Sequence, residues 1–348
     1  MEISTILLIF AEQTKIIAYD LLKLSVIIPV YQVEKYIHPC LESVFKQGLS
    51  DEDFEIIIVN DGTKDKSMEV IADLIGQHSN ITIINQENQG LSVVRNNGMA
   101  QAKGEYILML DSDDLLIEGS LIPLLEKALE TKADLVVADF LTMSDQDIET
   151  YQSPIQQEFV IKVKTGEELY MEDLVPNQFY VWHTLYRKDF ITKHNLSFIP
   201  GIYFQDVPFT HEAYLRAKKC IKTQWLLNIY RRRRDSASDL EAFSMKKGRD
   251  FCIAIAKSWD LYKELEGLSP ETKNKQKQEV YTSYSNLLYR LLFRLDNISD
   301  QVNILKYLHR LAPDMVFNYS KMQRLGNRLY NISPYLYVIV QKWIWSHR

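Results

Sequence analysis

A run of apolar, largely β-branched positions occupies residues 24–30, and similar runs recur at 54–59, 81–84, 106–110 and 135–137. Between them, around residues 35–47, 65–77, 91–102 and 118–131, the apolar positions fall at helical spacing. Strands alternating with helices over short connections predict an α/β fold, a mostly parallel sheet with helices on both faces. The strand runs lack polar alternation, the pattern of strands covered on both sides. Around 140–165 the pattern loosens into polar residues, an excursion or a boundary, and residues 166–232 mix short helices and strands. Further on the helical period takes over, with two long stretches near 241–266 and 271–295. The expected organisation is an extension at 1–23, an α/β domain at 24–235 and a helical C-terminal region at 236–348.

Composition narrows the classes. The chain has 348 residues, 46% hydrophobic and 25% charged, which are globular proportions and exclude disordered or collagen-like proteins. Its formal charge of -6 makes nucleic acid a poor partner, because neutralising phosphates needs a basic surface. Cys40, Cys220 and Cys252 are far apart and form no C-x-x-C or zinc-type cluster, usage that suits a reducing cytoplasm. No apolar run is long enough to span a bilayer. The short run at residues 6–11 is preceded by Glu2 and followed by Glu12, a poor signal peptide. Residues 315–348 contain no acid but carry Lys321, Arg324, Arg328, Lys342 and Arg348 beside Tyr335, Leu336, Ile339, Trp343 and Trp345. Such a tail suits an anionic membrane surface at the inner face of the cell membrane. It equally suits packing on the chain's own core or on a second copy in a homo-oligomer.

Ligands of doubly wound sheets bind beyond the carboxyl ends of the strands. The residues there are Pro29-Val30-Tyr31, then Asn60-Asp61-Gly62-Thr63, then Asn88-Gln89-Gly90 with Arg95 one turn later, then Asp111-Ser112-Asp113-Asp114. Aromatic, carboxylate, guanidinium and paired carboxylates at four successive strand ends exceed what turn chemistry alone requires. Asp111 and Asp113 repel one another unless a cation intervenes. Mg²⁺ or Mn²⁺ takes such oxygen ligands and keeps places for phosphate oxygens. Tyr31 offers a flat face for a base, Asp61 an acceptor for a base N–H, and Arg95 a fork for phosphate or carbonyl oxygen. The set points to a nucleoside diphosphate with a metal. Neither a P-loop nor a G-x-G-x-x-G follows the first strand.

These motifs, in this order, resemble the family 2 glycosyltransferases over roughly residues 24–235. The resemblance implies the A-type fold of nucleotide-sugar transferases. It also implies an inverting transfer of a sugar from a nucleotide donor, commonly UDP-linked, to an acceptor hydroxyl on a glycan or lipid-linked acceptor. By this similarity Tyr31 stacks on the base, Asp61 reads it, Arg95 helps bind the nucleotide, Asp111 contacts ribose or metal, and Asp113 ligates the metal. The family's Glu-Asp before a later helix corresponds to Gln205-Asp206, which makes Asp206 the candidate general base and departs from the pattern at Gln205. Trp182 and His183 lie in a segment resembling the acceptor-side wall. One or two of Arg231 to Arg234 close over the diphosphate by the same likeness. The rival readings are a non-catalytic sugar-nucleotide-binding or assembly partner and a nucleotidyltransferase. The second is disfavoured because Tyr31-Gln32-Val33-Glu34-Lys35 stands where a Gly-rich basic loop is usual.

Overall fold

The structure, a computed structural model, describes residues 22–154, 158–174, 179–233, 243–316 and 321–347. The expected extension at 1–23 therefore lies outside the described residues except for its last two, and Arg234 lies outside them as well.

The chain divides into two compact units: Met1–Thr165 with Val181–Ser197 and Ala217–Arg233, and Gly166–Tyr180 with Phe198–Arg216 and Arg234–Arg348. The second unit thus draws two segments from within the stretch expected to be one α/β domain. Local periodicity shows that a segment is helical, not which core it packs on.

The first unit holds β1 (Leu24–Val30), α1 (Ile37–Phe45), β2 (Phe54–Asn60), α2 (Ala72–Gln77), β3 (Ile81–Asn85), α3 (Leu91–Gln101), β4 (Tyr106–Met109), β5 (Leu115–Leu116), α4 (Leu121–Thr131), β6 (Leu135–Ser144), α5 (Asp145–Glu149) and β7 (Ile161–Lys164). The second unit takes α6 (Gly166–Glu172), and the first resumes with β8 (Thr184–Arg187) and α7 (Lys188–His194). The second again takes α8 (Asp206–Arg216), and β9 (Cys220–Arg232) completes the sheet. Strand order is β3-β2-β1-β4-β8-β6-β9-β5, with β7 also on β9. The β3-β2-β1-β4 part is parallel. Beyond β4 the sheet is mixed, because β8 runs antiparallel to both β4 and β6.

Every residue of β1 is buried, as its unbroken apolar run predicts. β3 departs from that reading: it is the sheet edge and leaves Ile83 37% exposed, since an apolar run does not tell an edge from a centre. Residues 65–71 are turns ahead of α2 rather than its first turns. The Asp65 carboxylate accepts from Ser67 N–H at 3.1 Å, Ser67 Oγ at 2.5 Å and Thr63 Oγ1 at 2.7 Å, a local arrangement that competes with helix. The polar stretch after residue 140 is also ordered. β6 continues along β9 to Ser144, whose hydroxyl caps α5 in a capping box with Asp147. α3 lies hard on β1, where a Cβ on Gly98 would stand 2.4 Å from Ile27 Cγ2. That contact sets the height of α3 and of Arg95 upon it.

The second unit continues with α9 (Met245–Glu264), α10 (Pro270–Arg294), α11 (Ile298–Leu311), α12 (Lys321–Ile332) and α13 (Pro334–Ser346). Ser244, Ser269 and Ser333 cap α9, α10 and α13 through their hydroxyls, and Pro270 and Pro334 occupy first turns where no N–H is needed. Its core gathers Phe251, Ile255 and Trp259 with Val280, Leu287, Leu291, Val302 and Leu305, and Tyr337 and Val338 of α13 join it.

Candidate active site

β2 and β3 lie on one side of β1 and β4 on the other, so the strand order reverses there, the place beyond which ligands of doubly wound sheets bind. Tyr31 emerges after β1 and is 43% exposed. The next residue, Gln32, has φ 55° and donates its N–H to Thr63 Oγ1 at 2.8 Å, which ties the first strand end to the second. Pro29 is buried within β1 opposite Val59, so its contribution to a ligand runs through the backbone alone.

Asp61 is buried, and its carboxylate is largely committed. Oδ1 accepts from Gln86 Nε2 at 2.8 Å and Gln89 N–H at 2.9 Å, and Oδ2 accepts from Gly90 N–H at 2.9 Å. The residue expected to meet a base thus also builds the 86–90 loop. Gly62, with φ 68°, permits the close approach: a Cβ there would stand 3.1 Å from Asn88 N.

Arg95 is buried and donates through Nη2 to Asp111 Oδ1 at 2.6 Å. Expected to bind the nucleotide, it lies on the buried side of α3 with Nη2 on Asp111, one of the candidate metal ligands. Asp113 accepts from Arg233 Nε at 2.7 Å through Oδ2. Asp114 is buried and accepts the Arg231 N–H at 2.8 Å. Arg231 also donates Nε to the Asp113 carbonyl at 2.7 Å and Nη1 to Asp145 Oδ1 at 2.6 Å. Both arginines lie over the Tyr36 ring, at 5.0 and 5.1 Å from its centroid. Of the arginine run expected over a diphosphate, Arg231 is thus locked into the turn, and Arg233 is held by Asp113 and the Tyr36 ring. The β5–β9 register, Leu115 with Ile229, delivers both to the acidic turn. That pairing joins residues more than a hundred positions apart, and no local signal announces it.

The acidic turn is electrostatically strained. Burial, then Asp111, raise the Asp113 pKa against the pull of Arg233. Burial, Asp111 and Asp113 push Asp114 up to about 9. No group of three or more metal-type ligands occurs among the described residues. Asp111 and Asp113, at 25% and 20% side-chain exposure, nevertheless both reach the surface. Two reachable carboxylates fit Mg²⁺ or Mn²⁺, which bind through one or two carboxylates plus phosphate oxygens. They do not form a closed all-protein cage.

Trp182 does not offer a platform for a sugar. It is buried, stacked on Tyr230 at 5.4 Å with 10° between planes, with Phe140 edge-on at 4.7 Å. An apolar ring between two aromatic neighbours gains more from burial than from an open surface. His183 is half-buried and sits edge-on to Phe140 at 5.7 Å.

In the second unit Asp206 opens α8, half-buried, its Oδ1 accepting the Val207 N–H at 3.2 Å. A carboxylate in a first turn is stabilised by the helix dipole. Phe204 just before it has φ 60°, a left-handed conformation costly for an aromatic residue, and its ring stacks on Phe251 at 4.4 Å. Gln205 is buried, and its Oε1 has no partner among the described residues.

Residues 25–193 match Glycosyl transferase family 2. Among curated relatives, the glycosyltransferase EpsJ of Bacillus subtilis is 35% identical over 219 residues, 62% of this chain and 63% of that protein. Glycosyltransferase GlyG of Streptococcus pneumoniae is 30% identical over 246 residues, 67% of this chain and 78% of that protein. The chain therefore spans just under two thirds of EpsJ. Among solved structures, residues 1–349 of S. aureus TarS in complex with UDP-GlcNAc superpose with TM-score 0.65 at 18% identity, covering 91% of this chain and 90% of that one. At that identity the likeness shows the fold, an A-type glycosyltransferase sheet with a helical region beyond it.

Proposed function

The chain belongs to glycosyl transferase family 2, and from that premise we propose that it is an inverting, metal-assisted enzyme. It moves a sugar from a nucleoside diphosphate, a UDP-sugar foremost, to a hydroxyl of a glycan or lipid-linked acceptor in surface-polysaccharide synthesis, on the cytoplasmic side. The observation that carries this reading is the surface-reaching pair Asp111 and Asp113 at the strand-order reversal, with the exposed Tyr31 at the neighbouring strand end. The fold shared with a UDP-GlcNAc complex supports trying UDP donors first.

The roles follow from the contacts. Tyr31 stacks on the base. Asp61 sets the 86–90 loop, and its remaining acceptor capacity serves a base N–H. Arg95 holds Asp111 in place. Asp111 and Asp113 would hold a divalent cation, which when bound neutralises charge on the departing diphosphate. Asp206 takes the proton of the attacking hydroxyl; inversion in one step requires that base on the face opposite the leaving group. The test is a panel of nucleotide sugars with Mn²⁺ or Mg²⁺, scored by release of nucleoside diphosphate in the presence of glycan acceptors. Turnover of one donor, dependent on metal and inverted at the anomeric carbon, is expected. Tight donor binding with no turnover under any acceptor would leave a sugar-nucleotide-binding protein instead.

A further inference from the structure

We propose that the outer faces of α12 and α13 dock the protein on an anionic lipid surface. α13 is only half absorbed by the fold: Tyr337 and Val338 enter the core of the second unit. Its opposite side stays outside, and Leu336, Ile339 and Trp343 recur there three and four residues apart, at 41%, 55% and 63% exposure. At 3.6 residues per turn those three form one stripe. Tyr335 and Lys342, both exposed, flank it. α12 repeats the arrangement. Leu325, Arg328 and Ile332 share the same spacing, with Leu325 half exposed and Ile332 76% exposed, and the exposed Lys321 and Arg324 stand beside them. The two helices pack on each other, and Gly326 allows it: a Cβ there would stand 3.3 Å from the Tyr337 ring.

Charge decides what covers this surface. Both helices lack any acid, whereas Lys321, Arg324, Arg328 and Lys342 lie on them. Lys306 of α11 adds a fifth cation beside Tyr335, at 5.9 Å from the ring. Asp296, between α10 and α11, is the one carboxylate lining the recess that Ile339, Lys342 and Trp343 share. A second copy of the chain is a poor occupant, because a two-fold interface sets the same patch against itself and would bring cations against cations. An anionic surface answers the cations, and a hydrophobic interior answers the apolar stripe. Tryptophan and tyrosine beside Lys and Arg are the side chains that settle at the headgroup level. No helix among the described residues is long and apolar enough to cross a membrane, so the contact proposed is with one leaflet. This inference does not rest on the transferase reading.

The test is flotation of the full chain with phosphatidylcholine vesicles containing about one third phosphatidylglycerol, against pure phosphatidylcholine. Binding is expected only to the anionic vesicles and should weaken as salt rises. Ile339→Ser with Trp343→Ala should lower the partition coefficient at least tenfold. Arg324→Gln with Arg328→Gln should lower it about twenty-fivefold, from about fivefold per basic residue. Circular dichroism of each variant checks that the helices persist. Absence of binding to anionic vesicles overturns the proposal, as does binding that both double variants leave unchanged. Equal binding to neutral vesicles overturns the role of the cations. A concentration-dependent dimer abolished by Ile339→Ser with Trp343→Ala would make the face a subunit interface. Capture of an acidic protein without vesicle binding would make it a protein-docking site. Either result would replace the lipid surface.

Discussion

At the scale of single residues the proposed chemistry rests on Asp113 and Asp206, and each makes a separable prediction. Asp113 lies 2.7 Å from Arg233 and is pushed toward protonation by burial and by Asp111. Asp113→Asn removes the charge while keeping the shape. Metal-dependent turnover is expected to fall by about 10²-fold or more, the scale of losing one preorganised electrostatic group. A metal titration of rate at fixed donor measures it, and an unchanged metal dependence would remove Asp113 from the role. Asp206→Asn should lower kcat by about 10² to 10⁴, the usual contribution of a positioned base. Donor Kd should stay constant, because the proposed donor contacts lie at the strand ends and not on α8. Gln205→Ala supplies the control. Its buried amide already leaves Oε1 unpartnered among the described residues, so its loss should cost far less than that of Asp206.

α8 illustrates how an element can bear a cost of its own. His211 lies on its buried face, edge-on to Tyr170 at 5.5 Å and Phe179 at 4.8 Å, and neither ring nitrogen has a partner among the described residues. Burial lowers its pKa to about 3. Between that value and the ordinary value of about 6.5, the unfolded chain binds a proton that the fold refuses. Stability is therefore fully present above pH 6.5 or so and declines as pH falls, by at most about 1.4 kcal/mol per pH unit from this group. Denaturant unfolding of wild type and His211→Phe at pH 7 and pH 5 isolates this contribution from the opposite one of the raised Asp114 carboxyl: the wild type should lose more stability, or gain less, than the variant. An equal change in both proteins would mean that the imidazole reaches water.

For the molecule as a whole, donor binding and stability are linked. A ligand that binds only the folded state stabilises it by RT ln(1 + [L]/Kd), roughly 2.7 kcal/mol at a hundredfold excess over Kd. UDP with Mn²⁺ should therefore raise Tm by several degrees, and Asp113→Asn should abolish the metal-dependent part of that rise. A shift of equal size with UDP alone would show that the protein's own arginines, not a metal, neutralise the diphosphate.

The strand runs at 24–30, 54–59, 81–84, 106–110 and 135–137, and the candidate residues after the first four, are legible without coordinates, whereas the continuation of β6 to Ser144 is not. Their order along the chain is the order of strand ends in a doubly wound sheet, and each signal lies within a few residues of itself. Tyr31, Asp61, Asp111 and Asp113 stand out as candidates this way because Gly, Asp and aromatic positions mark turns and strand ends locally. What decided the rest is long-range pairing. The antiparallel insertion of β8 between β4 and β6 and the interleaving of the two units depend on which distant surfaces meet. The same holds for Arg233 on Asp113, brought by a strand pairing more than a hundred residues long-range. Burial, too, belongs to the tertiary structure. Trp182 reads as an open platform in sequence and is enclosed by Tyr230 and Phe140, while Arg95 reads as a ligand fork and is buried with Nη2 on Asp111. A side chain's type sets what it can bind; only packing sets whether water, a neighbour or a substrate reaches it.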